Sequence, residues 1–334
     1  MEVYFIDIGS GTSNLILLGQ GRAIVIDCGE NSGTLLQLLT RFQVQEIVRL
    51  VVSHNHDDHA GGAVGVLDAF EGRIEKIAFV QDGSLSVTKF SRKIWRQLRD
   101  QIIRFDQLFR LECDDQPKIL YEEKPRKLSL KILSPRFGDN LEAVEEGKPN
   151  ATSGVLVLTI EDKRIVFAGD SIIRQWRRIR EARKKPLACD LLSVAHHGGT
   201  VAGSLQDLQW LYTEGVRPQY AVVSVATSNI HRHPRPDVIK TITSTGSTIV
   251  CTQITSQCCD DLEKLRPGVL TPELPGRSQP NLDRTTAGNS RNVACGGTLV
   301  AEFVNSQLNL DRFLKHQTAI EALAKTEGFH PLCR

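Results

Sequence analysis

The chain of 334 residues predicts a layered α/β fold, and three features of the sequence predict it. Short apolar runs crowd the start and imply antiparallel pairing. Strand-like runs then alternate with amphipathic helical patterns, and several strands end in turns rich in His, Asp and Gly.

Residues 3–8, 14–18 and 23–26 are the opening strands; Gly9-Ser10-Gly11-Thr12 joins the first two, and the third ends in Asp27-Cys28-Gly29. Leu35, Leu36, Leu38, Leu39 and Phe42 mark the buried face of a helix that starts at Ser32-Gly33-Thr34. The β-branched run 47–52 is a buried strand, 63–70 a helix and 77–80 a strand. Residues 88–110 read as one long helix with Phe90, Ile94, Trp95, Leu98, Ile102 and Phe105 inside, and Lys89, Arg92, Lys93, Arg96, Arg99 and Arg104 outside. Strands return at 119–121, 129–133 and 154–160, the last paired with 164–167 across Glu161-Asp162-Lys163. Residues 172–184 form a second amphipathic helix, with Ile173, Trp176 and Ile179 inside and an outer face of Arg174, Arg177, Arg178, Arg180, Arg183 and Lys184. Strands follow at 191–195, 220–225 and 249–251. The Pro-, Gly-, Ser-, Asn- and Arg-rich stretch 266–292 reads as a linker, 299–304 as a returning strand and 311–325 as a terminal helix. The expected organisation is a main domain over 1–255 and a C-terminal extension over 256–334.

Hydrophobic residues at 40% and charged residues at 24% describe a soluble globular chain. A net charge of +2 gives no global pull towards nucleic acid or a membrane, so any such partner must act through local clusters. No apolar run approaches the roughly 20 residues of a membrane span, and the N-terminus enters a strand at once, so the expected location is the cytoplasm. Eight cysteines are scattered without regular spacing and read mainly as small buried hydrophobes. Cys251, Cys258, Cys259 and Cys295 nevertheless lie in one region and are a candidate structural zinc site.

The chemistry concentrates at residues 53–62, Ser-His-Asn-His-Asp-Asp-His-Ala-Gly-Gly. His54, His56, Asp58 and His59 put three imidazoles and a carboxylate on the loop leaving a buried strand. In extended chain His54 and His56 share a face and reach one cation, while Asp58 and His59 follow a turn and point at a second. Gly61-Gly62 permits a close-packed exit. Nitrogen with carboxylate ligation suits zinc, manganese or iron rather than calcium. The same grammar, strand then ligands then glycine, recurs at Asp27-Cys28-Gly29, Ala168-Gly169-Asp170 and His196-His197-Gly198-Gly199. Asp170 is the candidate bridge between two cations, and His196 or His197 the ligand of the second.

His54-x-His56-x-Asp58-His59-x-Gly-Gly resembles the signature of the metallo-β-lactamase superfamily, αββα sandwiches that act as metal-dependent hydrolases. Within it the chain is most similar to the hydrolase domains of ComEC competence proteins. The matching residues are Asp7-Ile8-Gly9-Ser10-Gly11-Thr12, Asn150-Ala151-Thr152-Ser153, Gly169-Asp170, His196-His197-Gly198-Gly199, and Asn229 leading to His233-Pro234. The likeness runs over roughly residues 1–255. It implies two divalent metals, zinc or manganese, with Asp7, Asp27, Asn150 and Ser153 supporting the ligands from behind. Two departures stand out. Ser10 and Thr12 replace the family's Gln and Asp, and the lactamase-type histidine before Asp170 is missing, so the first metal has fewer protein ligands than in a lactamase.

Two cations about 3.5–4 Å apart suit in-line displacement at a phosphodiester. Asp58 is the candidate to accept from the attacking water, and His233 to donate to a phosphate oxygen or leaving group. The N-terminus of the 172–184 helix faces the metal edge, and Arg174, Arg177 and Arg178 are candidate contacts to a phosphate backbone, although a basic helix face is commonly just solvated surface. The expected activity is therefore that of a metal-dependent phosphodiesterase or nuclease. The alternatives are a hydrolase of lactones or thioesters and a non-catalytic scaffold stabilised by metal.

Overall fold

In the computed structural model, which describes residues 1–80, 88–227, 229–260, 294–305, 307–325 and 327–334, the chain opens with antiparallel strands β1 (Glu2–Phe5), β2 (Ser13–Gly19) and β3 (Arg22–Cys28). Helix α1 (Gly33–Arg41) crosses to β4 (Glu46–Val52), which lies parallel to β3 and delivers the histidine loop. That loop holds one helical turn, α2 (Asp57–Ala60), and α3 (Ala63–Ala69) then leads to β5 (Ile77–Phe79). After α4 (Lys89–Arg99) and β6 (Leu108–Arg110) come β7 (Lys118–Glu123), β8 (Leu128–Ser134), α5 (Phe137–Glu146), β9 (Val155–Ile160) and β10 (Lys163–Phe167). Next are α6 (Ile173–Arg183), β11 (Leu187–Ser193), α7 (Leu205–Trp210), β12 (Val216–Val223), α8 (Pro236–Ser244) and β13 (Thr248–Cys251). The described chain closes with β14 (Leu299–Val304), β15 (Gln307–Asn309) and α9 (Asp311–Leu323).

The strands make two mixed sheets, ordered β15-β14-β1-β2-β3-β4-β5-β6 and β13-β12-β11-β10-β9-β8-β7. Alternation along each strand explains how they stack. Val3 and Phe5 face the second sheet, where the Phe5 ring lies 6.1 Å from that of Phe167, while Tyr4 and Ile6 face the helices outside. The inner layer joins Ile16, Ile24, Ile26 and Val51 to Leu130, Ile132, Leu158 and Ile165. Outside the first sheet Leu35, Leu38, Val66, Leu67, Phe90 and Ile94 bury one face each of α1, α3 and α4. Outside the second, Trp176, Ile179, Leu208, Val238 and Ile242 do the same for α6, α7 and α8. Each fully buried aliphatic or aromatic side chain contributes about 1.5–3 kcal/mol, so this αββα sandwich follows from the hydrophobic pattern.

One expectation changes. The helix expected over 88–110 ends at Arg99: Gln101 takes a left-handed backbone (φ 58°), and the amides of Ile102 and Ile103 both turn back to the carbonyl of Gln97. Trp95 and Phe105, expected inside, are 61% and 71% exposed. Within the stretch expected as an extension, β14 pairs antiparallel with β1 from Glu2↔Glu302 to Phe5↔Leu299. The linker expected over 266–292 lies outside the described residues. Among the described residues no helix is long and apolar enough to cross a membrane.

Candidate metal centre

The histidine loop leaves the C-terminal end of β4, Asp27 stands at the end of the parallel neighbour β3, and Asp170, His196-His197 and Ser224 follow β10, β11 and β12, which are mutually parallel. Parallel strands place their C-terminal ends on one edge, where ligands of open α/β sheets collect. Both sheets contribute such ends, and the centre sits where they meet. Asp27, His196 and His197 hold left-handed backbones with φ of 60°, 54° and 54°, a conformation that costs non-glycine residues about 1–3 kcal/mol and clusters at functional sites.

Two groups of donor atoms result: His54, His59 and Asp170, and Asp58, His59 and His197. His59 belongs to both. Its Nδ1 lies 2.8 Å from Asp27 Oδ2, while Asp27 also accepts from Ser53 N (2.7 Å) and Ser53 Oγ (2.8 Å). Since Ser53 Oγ donates to Asp27, it accepts from His54 Nδ1 at 3.2 Å. His197 Nδ1 lies 3.0 Å from the carbonyl of Ser224. Each ring therefore keeps its Nδ1 proton on a fixed acceptor and turns Nε2 towards the shared space, the arrangement that orients a metal-ligating imidazole.

The donors fit divalent metals. His54 Nε2, His59 Nε2, His197 Nε2 and Asp170 Oδ1 are buried atoms without a hydrogen-bond partner; leaving such groups unanswered costs about 1–3 kcal/mol each. Asp170 Oδ1 is 3.1 Å from His59 Nε2 and 3.8 Å from His197 Nε2, and Asp170 Oδ2 is 3.7 Å from His54 Nε2, so Asp170 faces both groups. Asp58 Oδ2 is 3.2 Å from His197 Nε2. The electrostatics follow. Burial and the neighbouring imidazole of His59 push His54 well below its usual range. Burial also opposes charge on His59, yet Asp170 and Asp27 raise it well above. Burial would raise Asp58 and Asp170, but His197 and His59 hold both carboxyls well below the usual carboxylate range.

Ser153 Oγ accepts from Asp170 N (2.8 Å) and lies 3.5 Å from His54 Nδ1, so it stands behind both. Asn150 occupies the same turn, with its Oδ1 buried and unpartnered. Asp7 accepts from Gln253 Nε2 (2.7 Å) and Gly9 N (3.3 Å) and holds the loop that ends at Thr12. Thr12 N donates to the carbonyl of Asp58 at 3.0 Å. Gly11 at φ 98° packs so closely that a Cβ there would come within 2.0 Å of the same carbonyl. A Cβ on Gly62 would meet the carbonyl of Cys28 at 2.2 Å, the close-packed exit the sequence implied.

The metallo-β-lactamase superfamily model matches residues 7–200. This chain belongs to the metallo-β-lactamase superfamily. Recombination protein 2 of Haemophilus influenzae is 24% identical over 262 residues, covering 77% of this chain; the chain spans 28% of that protein's length. Among solved structures, the metallo-β-lactamase fold protein YhfI of Bacillus subtilis aligns with TM-score 0.45 and 13% identity over 75% of this chain and 95% of its own. The short form of human tRNase Z aligns with TM-score 0.41 and 15% identity over 67% and 92%.

Within this metallo-β-lactamase fold several expected residues lie elsewhere than the sequence suggested. His56 is half-buried and packs its ring 4.6 Å from that of His54, but it joins neither donor group, because the chain turns into α2 directly after it. Of the adjacent histidines, His197 joins a group, while His196 turns Nδ1 to the carbonyl of Thr200 (3.1 Å) and keeps Nε2 3.8 Å from Asp170. His233 packs edge-on against His196 with ring centres 5.4 Å apart, and burial with its histidine neighbours lowers it to about 4. The arginine stripe on α6 is answered within the fold. Arg174 pairs with Glu142 and Glu146, Arg177 with Asp207, and Arg178 with Asp139 and Glu142. The first amides of α6 are also taken, Ile172 N by Gln175 Oε1 and Ile173 N by the carbonyl of Val201. Ser53, Thr12 and Ser224 were not anticipated; only the position of Ser53, at the strand end beside His54, marked it in the sequence.

Proposed function

We propose that the chain is a metal-dependent phosphodiesterase, with nucleic acid as the substrate class. The observation that carries this is the pair of donor groups sharing His59, with Asp170 facing both, a set suited to two cations side by side rather than one. Two divalent cations would activate a water at neutral pH and clamp the oxygens of an in-line displacement at phosphorus. His54, His59, Asp170, Asp58 and His197 would hold them. The chain's own groups then have separate tasks. Asp58, with its side chain 34% exposed, would help to hold a cation and would orient and accept from the attacking water. His233, lowered to about 4, is neutral at pH 7. It therefore offers an N–H to a non-bridging phosphate oxygen and does not act as an imidazolium acid for the leaving group. The relative's name, a recombination protein, agrees with a nucleic-acid substrate.

Metal-loaded protein and its Asp58→Ala variant, each incubated with labelled single-stranded DNA, RNA, a bis-aryl phosphodiester and a thioester, test this. Cleavage of the phosphodiesters should fall on the order of 10²–10⁴-fold in the variant. Turnover confined to the thioester, or none with either manganese or zinc, would overturn it.

A further inference from the structure

A second set of metal-competent side chains sits on the other side of the second sheet and shares no residue with the centre above. Cys251 ends β13, and the backbone of Cys295 runs beside it: Cys295 N donates to the carbonyl of Thr252 and Gly296 N to that of Cys251, both at 2.8 Å. Cys295 Sγ lies 3.2 Å from Nε2 of His316 on α9. Cys333 lies in the same buried cluster as Cys251 and Cys295 and interacts with both thiols. Cys251, Cys333, Cys295 and His316 are thus neighbours in one interior. They are 2%, 3%, 3% and 0% exposed respectively.

We propose that Cys251, Cys295, Cys333 and His316 hold a structural zinc ion that fastens the C-terminal tail to the edge of the second sheet. This set differs from the one expected from sequence in taking Cys333 and His316 in place of Cys258 and Cys259. Buried cysteines are ordinarily inert hydrophobes, as Cys189 is in the same core, where burial pushes its thiol up. The four donors differ because their sulfurs and an imidazole nitrogen face one another in an apolar interior. Thiols are weak hydrogen-bond partners, whereas three thiolates and one imidazole form a standard tetrahedral set for zinc. Residues 330–334 have no helix or strand to hold them. A metal clip between sequence-distant segments removes much unfolded-state freedom.

Cobalt is the probe. Cobalt-loaded full-length protein should show a thiolate-to-cobalt charge-transfer band. The nitrogen and oxygen donors of the other centre cannot supply it, so it should persist in the His54→Ala/His59→Ala double variant. It should persist in Cys258→Ala and be lost in Cys333→Ser, with one cobalt fewer per chain. Wild-type protein gives a second readout that needs no variant to fold. Zinc should protect Cys251, Cys295 and Cys333 from alkylation, and a chelator should expose them. Absence of the band, its survival in Cys333→Ser, equal alkylation with and without zinc, or recovery of Cys333 in a disulfide would each overturn the proposal.

Discussion

His59 serves two donor groups through one nitrogen, and Asp27 makes that work by fixing the opposite side of its ring. The Asp27 carboxylate, itself held by the Ser53 amide and hydroxyl, has little freedom to follow another partner. Asp27→Asn should therefore weaken metal binding on the order of 10–100-fold, measured by metal titration near pH 8. The pH dependence has a definite sign. Because Asp170 and Asp27 raise His59 above its ordinary value despite burial, a proton competes with the cation for Nε2 at neutral pH. Affinity for the wild-type site should fall steadily as pH drops through that raised value, with protons released on loading. In Asp27→Asn the raising charge is gone, and the fall should begin at lower pH. A pH profile unchanged by the substitution would mean that Asp27 acts on the loop alone. At this scale the metal loop was legible from its residue types, but its partition was not. Period-two alternation pairs His54 with His56, whereas the turn into α2 pairs His54 with His59. Nor could sequence choose between His196 and His197: both keep Nε2 3.8 Å from Asp170, and only the fold shows that His197 also reaches Asp58, at 3.2 Å.

Among the elements, α6 carries the largest change of meaning. A helix face of arginines reads as a phosphate track, yet α5 lies beside it and supplies Asp139, Glu142 and Glu146 as partners. That neighbour was missed because the short stretch 137–146 gave no clear apolar stripe. Helix α8 was missed because Ile239, Thr241, Ile242 and Thr243 are β-branched, although Pro236 at its first position was a start signal. The helix at 88–110 was drawn too long because Ile102 and Phe105 keep the helical spacing past the turn at Gln101. Most other strands and helices were legible, since buried alternation and amphipathic spacing are strong signals when tertiary packing agrees with them. A test follows for α6. If Arg177 is engaged by Asp207 and the Trp210 ring, Arg177→Ala should leave the salt dependence of single-stranded DNA binding unchanged. An arginine on a phosphate would reduce the log–log slope by roughly 0.7.

Across the whole molecule, the first strand of the first sheet and the late strand β14 are neighbours. Phe303 N donates to the carbonyl of Met1 at 2.8 Å, and Thr298 Oγ1 accepts from Asp7 N at 3.0 Å, so the stretch around β14 steadies both β1 and the loop behind the metal centre. Leu299, Val300, Phe303 and Phe313 are buried in the two layers flanking that sheet. At about 1.5–3 kcal/mol for each such side chain, their loss rivals the roughly 5–15 kcal/mol by which a domain is stable. Truncation after Asp260 should therefore give a chain that is insoluble or lacks a cooperative thermal transition by circular dichroism; a folded, metal-binding product would refute this. The β1–β14 pairing also bears on vectorial synthesis. A ribosome releases β1 well before β14, so the outer edge of β1 stays without its partner while the intervening chain is made. Such an edge invites pairing with other nascent chains. Yield in a cell should thus depend on how fast the stretch between β1 and β14 is translated, and on holding chaperones that cover the edge until β14 arrives.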